Sequence, residues 1–107
     1  SKNKYESYWQ QILPELKKHL SDCSGSPRTI LLDSQAFESA GERKSSGYSF
    51  RMDFREAQVS PGQIKGTAVA RDLERVIRRD AEALSLLHRG HFVIRMSKDF
   101  VLSVQQL

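Results

Sequence analysis

Cysteine is nearly absent from this chain: Cys23 is the only one in 107 residues. No disulfide can therefore form within the chain, which excludes a small secreted fold stapled by bridges and points to a reducing, intracellular setting, cytoplasmic or nuclear. No run approaches the roughly 18 consecutive apolar residues of a membrane span. The first residues, SKNKYESYW, lack the apolar centre of a secretory signal, so no membrane partner is expected. Recognisable chemistry is scarce as well. There is no glycine-rich nucleotide loop and no metal-ligand spacing. His88 and His91 stand three apart with no cysteine or carboxylate nearby to complete a metal site. Cys23 has His19 within reach in sequence but lacks a positioned third group, so it reads as a free thiol rather than a nucleophile. The expectation is a non-enzymatic protein with no cofactor, no metal and no small-molecule substrate.

The composition is that of an ordinary folded domain, with 38% hydrophobic and 28% charged residues. A chain of 107 residues supports one core and not two, so residues 1–107 are read as a single domain. The sequence starts without methionine and ends at Leu107, directly after a strand-like run, which reads as a domain excised from a longer protein. A formal net charge of +4 suits an acidic partner, but charge sign alone is shared by many basic domains.

Tyr5, Tyr8, Trp9, Ile12, Leu13, Leu16 and Leu20 recur at helical spacing, predicting an amphipathic helix over 4–20 that is kinked or divided at Pro14. RTILLD, 28–33, reads as a short buried strand. Residues 34–47 carry glycine, serine and charge without a period and are expected to be an exposed, mobile loop. Within it ERKSSG offers Ser45 and Ser46 as phosphorylation sites behind basic residues.

YSFRMDFR, 48–55, alternates strictly and predicts a strand with Tyr48, Phe50, Met52 and Phe54 inward. A second long helix is expected from Thr67 to Leu87, with Gly90 as a left-handed cap. Strands 91–96 and 100–105 follow, joined at Ser97-Lys98-Asp99. The order helix, strand, strand, helix, strand, strand predicts an α+β fold: a two-layer sandwich with a four-stranded antiparallel sheet and two helices on one face.

In that fold Phe50, Met52, Phe54, Phe92, Ile94, Met96, Phe100, Leu102 and Val104 meet the helices. Arg51, Asp53, Arg55, Val93, Arg95, Val101, Ser103 and Gln105 line the opposite face. AEALSLLHRGHFVIRMS followed by FVLSV resembles a short span of the Src-homology phosphotyrosine-binding domain. The resemblance covers about the last quarter of the chain and implies that Arg95 takes the place of that family's phosphate-binding arginine. The sequence departs from the family in the three residues that join its strands, too few for the phosphate-wrapping loop, and in ending where most of that fold should follow. The alternation is therefore read as an ordinary hairpin with Arg95 on its solvent face.

Two interaction surfaces follow. The outer sheet face, through Arg51, Arg55, Val93, Arg95 and Val101, or an edge strand, is expected to bind a protein partner. The alternative is sequence-independent binding of DNA or RNA by Arg71, Arg75, Arg78 and Arg79 on the second helix, with Lys65 just before it. The acids interleaved there place Glu74 and Glu82 four residues from Arg78, which suits helix-surface ion pairs. No aromatic side chain is expected on the outer sheet face, so base stacking is not.

Overall fold

The computed structural model describes residues 3–22, 26–38, 49–53 and 68–107. The first helix, α1, spans Glu6–Asp22 as one continuous element that runs through Pro14. Pro14 lies on the exposed face of α1, where water can serve the carbonyl that its missing N–H leaves unbonded. Trp9, Leu16 and Leu20 are buried, as the periodicity predicts.

The strands β1 (Arg28–Leu31), β2 (Phe50–Asp53), β3 (Phe92–Met96) and β4 (Val101–Gln106) form one sheet in the order β1-β4-β3-β2. Every neighbouring pair is antiparallel. The predicted α+β class and four-stranded antiparallel sheet are thus the observed ones. Phe50, Met52, Phe92, Ile94, Met96, Leu102 and Val104 share a single core with buried residues of α1, α3 (Ala68–Arg78) and α4 (Ala81–Gly90). Tyr48 and Phe54 lie outside the described residues.

The expected second helix is two helices, α3 and α4. Asp80 leaves the helical region at φ −115° and ψ 105°, and its carboxylate accepts the Ala83 N–H at 2.9 Å, starting α4 afresh. Lys17 of α1 reaches the same carboxylate at 3.1 Å and Glu82 at 2.8 Å, fastening the start of α4 to α1. The bond from Ala83 N–H, helped by Lys17 and opposed by partial burial, holds the Asp80 carboxyl below its usual range. A depressed carboxyl contributes stability above its unfolded pKa, near 4, and loses it as pH falls through the folded value. Asp80→Ala should therefore cost about 1 kcal/mol at pH 7, with the gap from the parent narrowing below pH 4. Urea titrations at pH 7 and pH 3 would check this, and an equal gap at both would reject it.

Gly90 is the last residue of α4, and the left-handed residue is His91, φ 53°, rather than Gly90 as the sequence led us to expect. Glycine is required at 90 for a different reason: a Cβ there would collide with the Phe92 ring. The hairpin turn is also displaced by one residue. Phe100 sits in the left-handed region at φ 62°, outside β4. Its N–H donates to Ser97 O at 3.1 Å, and Ser97 Oγ accepts from Asp99 N at 3.2 Å and Val101 N at 3.3 Å. A tight turn followed by a left-handed residue matches the right-handed twist of the strands it joins.

Residues 35–38 were expected to belong to an exposed loop. Gln35–Glu38 instead forms a helical turn, α2, and Phe37 is buried. Its ring lies 5.8 Å from those of Tyr5 and Trp9, 5.4 Å from Tyr8 and 5.3 Å from Phe100, on which it stacks. The rest of that predicted loop, 39–47, lies outside the described residues.

Candidate interaction face

The strand register builds the outer face row by row. One row crosses all four strands as Thr29, Ser103, Arg95 and Arg51, each the direct cross-strand partner of the next. On one side of it Leu31 faces Val101, and on the other Gln105, Val93 and Asp53 stand in register. Three of the five predicted face residues, Arg51, Arg95 and Val101, are thus brought together. Arg55 lies outside the described residues.

Val93 is the correction. It is 0% exposed, so it cannot touch a partner. Its neighbours in register, Gln105 and Asp53, are themselves half-buried and buried. Arg51 Nη2 lies 3.5 Å from Asp53 Oδ2, and Arg95 Nη1 donates to Gln105 Oε1 at 3.3 Å. Both guanidinium groups therefore bend towards the row in which Val93 stands between Gln105 and Asp53. Asp53, expected on the open face, is likewise only 1% exposed.

Leu31 is the exposed apolar residue that sequence reasoning missed. RTILLD reads as a buried strand, yet β1 is the edge of an open sheet and only Ile30 of its four residues is buried. Leu31 is 81% exposed. The available signal was Pro27 and Arg28 at the strand's start, both suited to an edge and unsuited to a central strand. Leu32 N–H donates to Phe100 O at 2.9 Å. Bonding alternates along an antiparallel ladder, so the N–H and C=O groups of Thr29 and Leu31 point away from β4 to the open edge.

The α3 arginines border an open cleft of about 310 Å³ with Glu74. Three of the four are held by acids. Arg75 Nη1 lies 2.6 Å from Asp72 Oδ1 and 3.8 Å from Glu6 Oε1, Arg79 Nη1 lies 3.1 Å from Glu6 Oε2, and Arg78 Nη2 lies 2.9 Å from Glu74 Oε2. The expected Glu74–Arg78 pair forms, while Glu82 turns to Lys17 instead. Arg71 is exposed. Lys65, Ser45, Ser46 and Cys23 lie outside the described residues.

Among the described residues no group of three or more histidine, cysteine or acidic side chains is placed to hold a metal ion. No helix among them is long and apolar enough to cross a membrane. No family model, curated protein or solved structure matches this chain.

Proposed function

We propose that this domain is a non-catalytic interaction module that binds a partner protein through its outer sheet face, anchored at Leu31 and Val101. The exposure of Leu31 carries the reading. A leucine side chain taken out of water contributes roughly 1.5–3 kcal/mol, and here it stands beside a second apolar residue at the open border of a sheet. A partner that covers both side chains would gain from their removal from water. The α3 arginines favour nucleic acid less, because most of their charge is already committed to Glu6, Asp72 and Glu74. A second reading has its own support: the outward N–H groups of Thr29 and Leu31 suit addition of a partner strand along β1.

Peptides selected from a displayed random library on the parent domain give the test. Leu31→Asp should weaken the selected peptides at least tenfold without loss of fold, and binding should change little between low and moderate salt. Thr29→Pro separates the two modes. It removes one outward N–H and no bond to β4, so strand addition predicts loss and face docking predicts retention. Unchanged affinity for Leu31→Asp would end the proposal. A 20-base-pair duplex bound with a steep log-linear salt dependence would favour the nucleic-acid reading instead.

A further inference from the structure

β1 closes one side of the sheet, and its outward hydrogen-bonding groups are bounded at both ends. Thr29 and Leu31, both exposed, turn their N–H and C=O groups away from β4, because the ladder bonds fall on the even-numbered residues as far as Leu32. Pro27 shares the parity of Thr29 and has no N–H to offer. Asp33 shares the parity of Leu31 and has already used its groups. Its N–H donates to the Tyr8 hydroxyl at 2.7 Å, and its carbonyl accepts the Ala36 N–H at 3.0 Å. The open edge therefore consists of the donors and acceptors of Thr29 and Leu31. Between Pro27 and Asp33 its register with β4 runs without a bulge, and Thr29, Ile30 and Leu31 carry no charge. The usual devices that keep a second strand off an edge are missing from this stretch.

We infer that the strand which adds to this edge is β1 of a second copy of the chain, so that two four-stranded sheets join across a two-fold axis into one continuous sheet. The inference rests on the strand-addition reading above and names its partner. Backbone complementarity selects the occupant. With Thr29 opposite the partner's Leu31, the pairing is antiparallel and the axis passes between the two copies of Ile30. Each such pair exchanges two N–H to C=O bonds, which satisfies every outward group of Thr29 and Leu31 in both copies. The neighbouring registers do worse. Thr29 opposite Thr29 sets Leu31 against Pro27, which lacks the donor, and Leu31 opposite Leu31 sets Thr29 against Asp33, whose groups are spent. The favoured register also covers the exposed leucine. Leu31 stands directly beside the partner's Thr29 on the outer face and diagonally from the partner's Leu31, about 7–8 Å away and within reach of a long side chain. Charge permits the approach as well, since Arg28 falls opposite the uncharged Leu32. A pairing this short buries less than the roughly 1,200 Å² of a stable interface. The dimer is therefore weak and fills only at high concentration.

Sedimentation equilibrium of the parent chain from roughly ten micromolar to one millimolar, with amide hydrogen exchange at both ends of that range, tests this. A reversible monomer–dimer equilibrium is expected. The Thr29 and Leu31 amides should exchange freely in dilute protein and gain at least tenfold protection as the dimer fills. Thr29→Pro removes one outward donor from each copy and should weaken dimerisation at least tenfold. Leu31→Asp sets two carboxylates diagonally across the axis and should weaken it by as much, which serves if Thr29→Pro fails to fold. Arg71→Gln, on α3, should leave the equilibrium unchanged. Four results would overturn the inference: a monomer at one millimolar, a dimer in which both amides exchange freely, a dimer insensitive to both β1 variants, or protection already complete in dilute protein, which would mean that another segment of the same chain covers the edge. Failure of the partner and failure of the edge give different results. A monomeric chain whose library-selected peptides are still lost on Thr29→Pro keeps the strand-addition reading and rejects only the second copy.

Discussion

Trp9→Ala is expected to destabilise the domain by about 3–5 kcal/mol, which is much of the roughly 5–15 kcal/mol that holds a domain of this size together. The indole is fully buried, and its Nε1–H donates to Val69 O at 3.0 Å, joining α1 to α3. Its ring stands 5.9 Å from Tyr8, 5.8 Å from Phe37 and 6.5 Å from Phe50, so one side chain joins α1, α2 and β2. Truncation leaves a large cavity among residues from distant parts of the chain and removes a donor from a buried carbonyl. Trp9→Phe keeps most of the ring and loses only the N–H, and should cost about 1–3 kcal/mol. The comparison needs urea unfolding followed by far-UV circular dichroism, since Trp9 is the only tryptophan and its fluorescence disappears with it. A shift below 1 kcal/mol for Trp9→Ala would mean that the aromatic cluster does not join these elements.

What was legible in the sequence, and what was not, divides along the range of the interactions. The alternation of Phe92, Ile94, Met96, Leu102 and Val104 is local, and it placed every one of these side chains in the core. The break at Asp80 was hidden because strong helix formers flank it on both sides and an aspartate among charged residues reads equally well as solvated surface. Its role as a cap depends on one backbone angle. Phe37 looked like part of a loop because its burial is supplied by Tyr5, Tyr8, Trp9 and Phe100, from both ends of the chain.

The same limit governs the candidate surfaces. Arg51 and Arg95 could be assigned to one face by parity, but their opposition depends on register, which only the folded sheet provides. Leu31 carried the wrong sign of burial because a short apolar run is the same in a central strand and in an edge. The arginines of α3 looked like a free stripe because Glu6, which engages Arg75 and Arg79, lies 69 and 73 residues away in sequence.

Asp72→Ala should cost about 3–5 kcal/mol, and it bears on the choice between surfaces as well as on stability. The carboxylate is 1% exposed, accepts the buried Tyr5 N–H at 2.9 Å and takes Arg75 Nη1 at 2.6 Å. It thereby caps the start of α1 from another helix, where a negative charge is favoured by the helix dipole. Alanine removes the carboxylate that accepts the buried Tyr5 N–H and leaves Arg75 without its nearest acid. Asp72→Asn retains an oxygen for Tyr5 and forfeits the charge, so the stability order should be parent, asparagine, alanine. Asp72→Asn also unmasks positive charge on α3. If those arginines bind nucleic acid, its affinity for duplex DNA should rise and its salt dependence steepen. If the outer sheet face is the working surface, peptide binding at Leu31 and Val101 should be unaffected, because Asp72 belongs to none of the outer-face rows. Asp72→Asn that weakened the peptides while remaining folded would place part of the interface on α3 and remove the ground for treating the sheet face as sufficient.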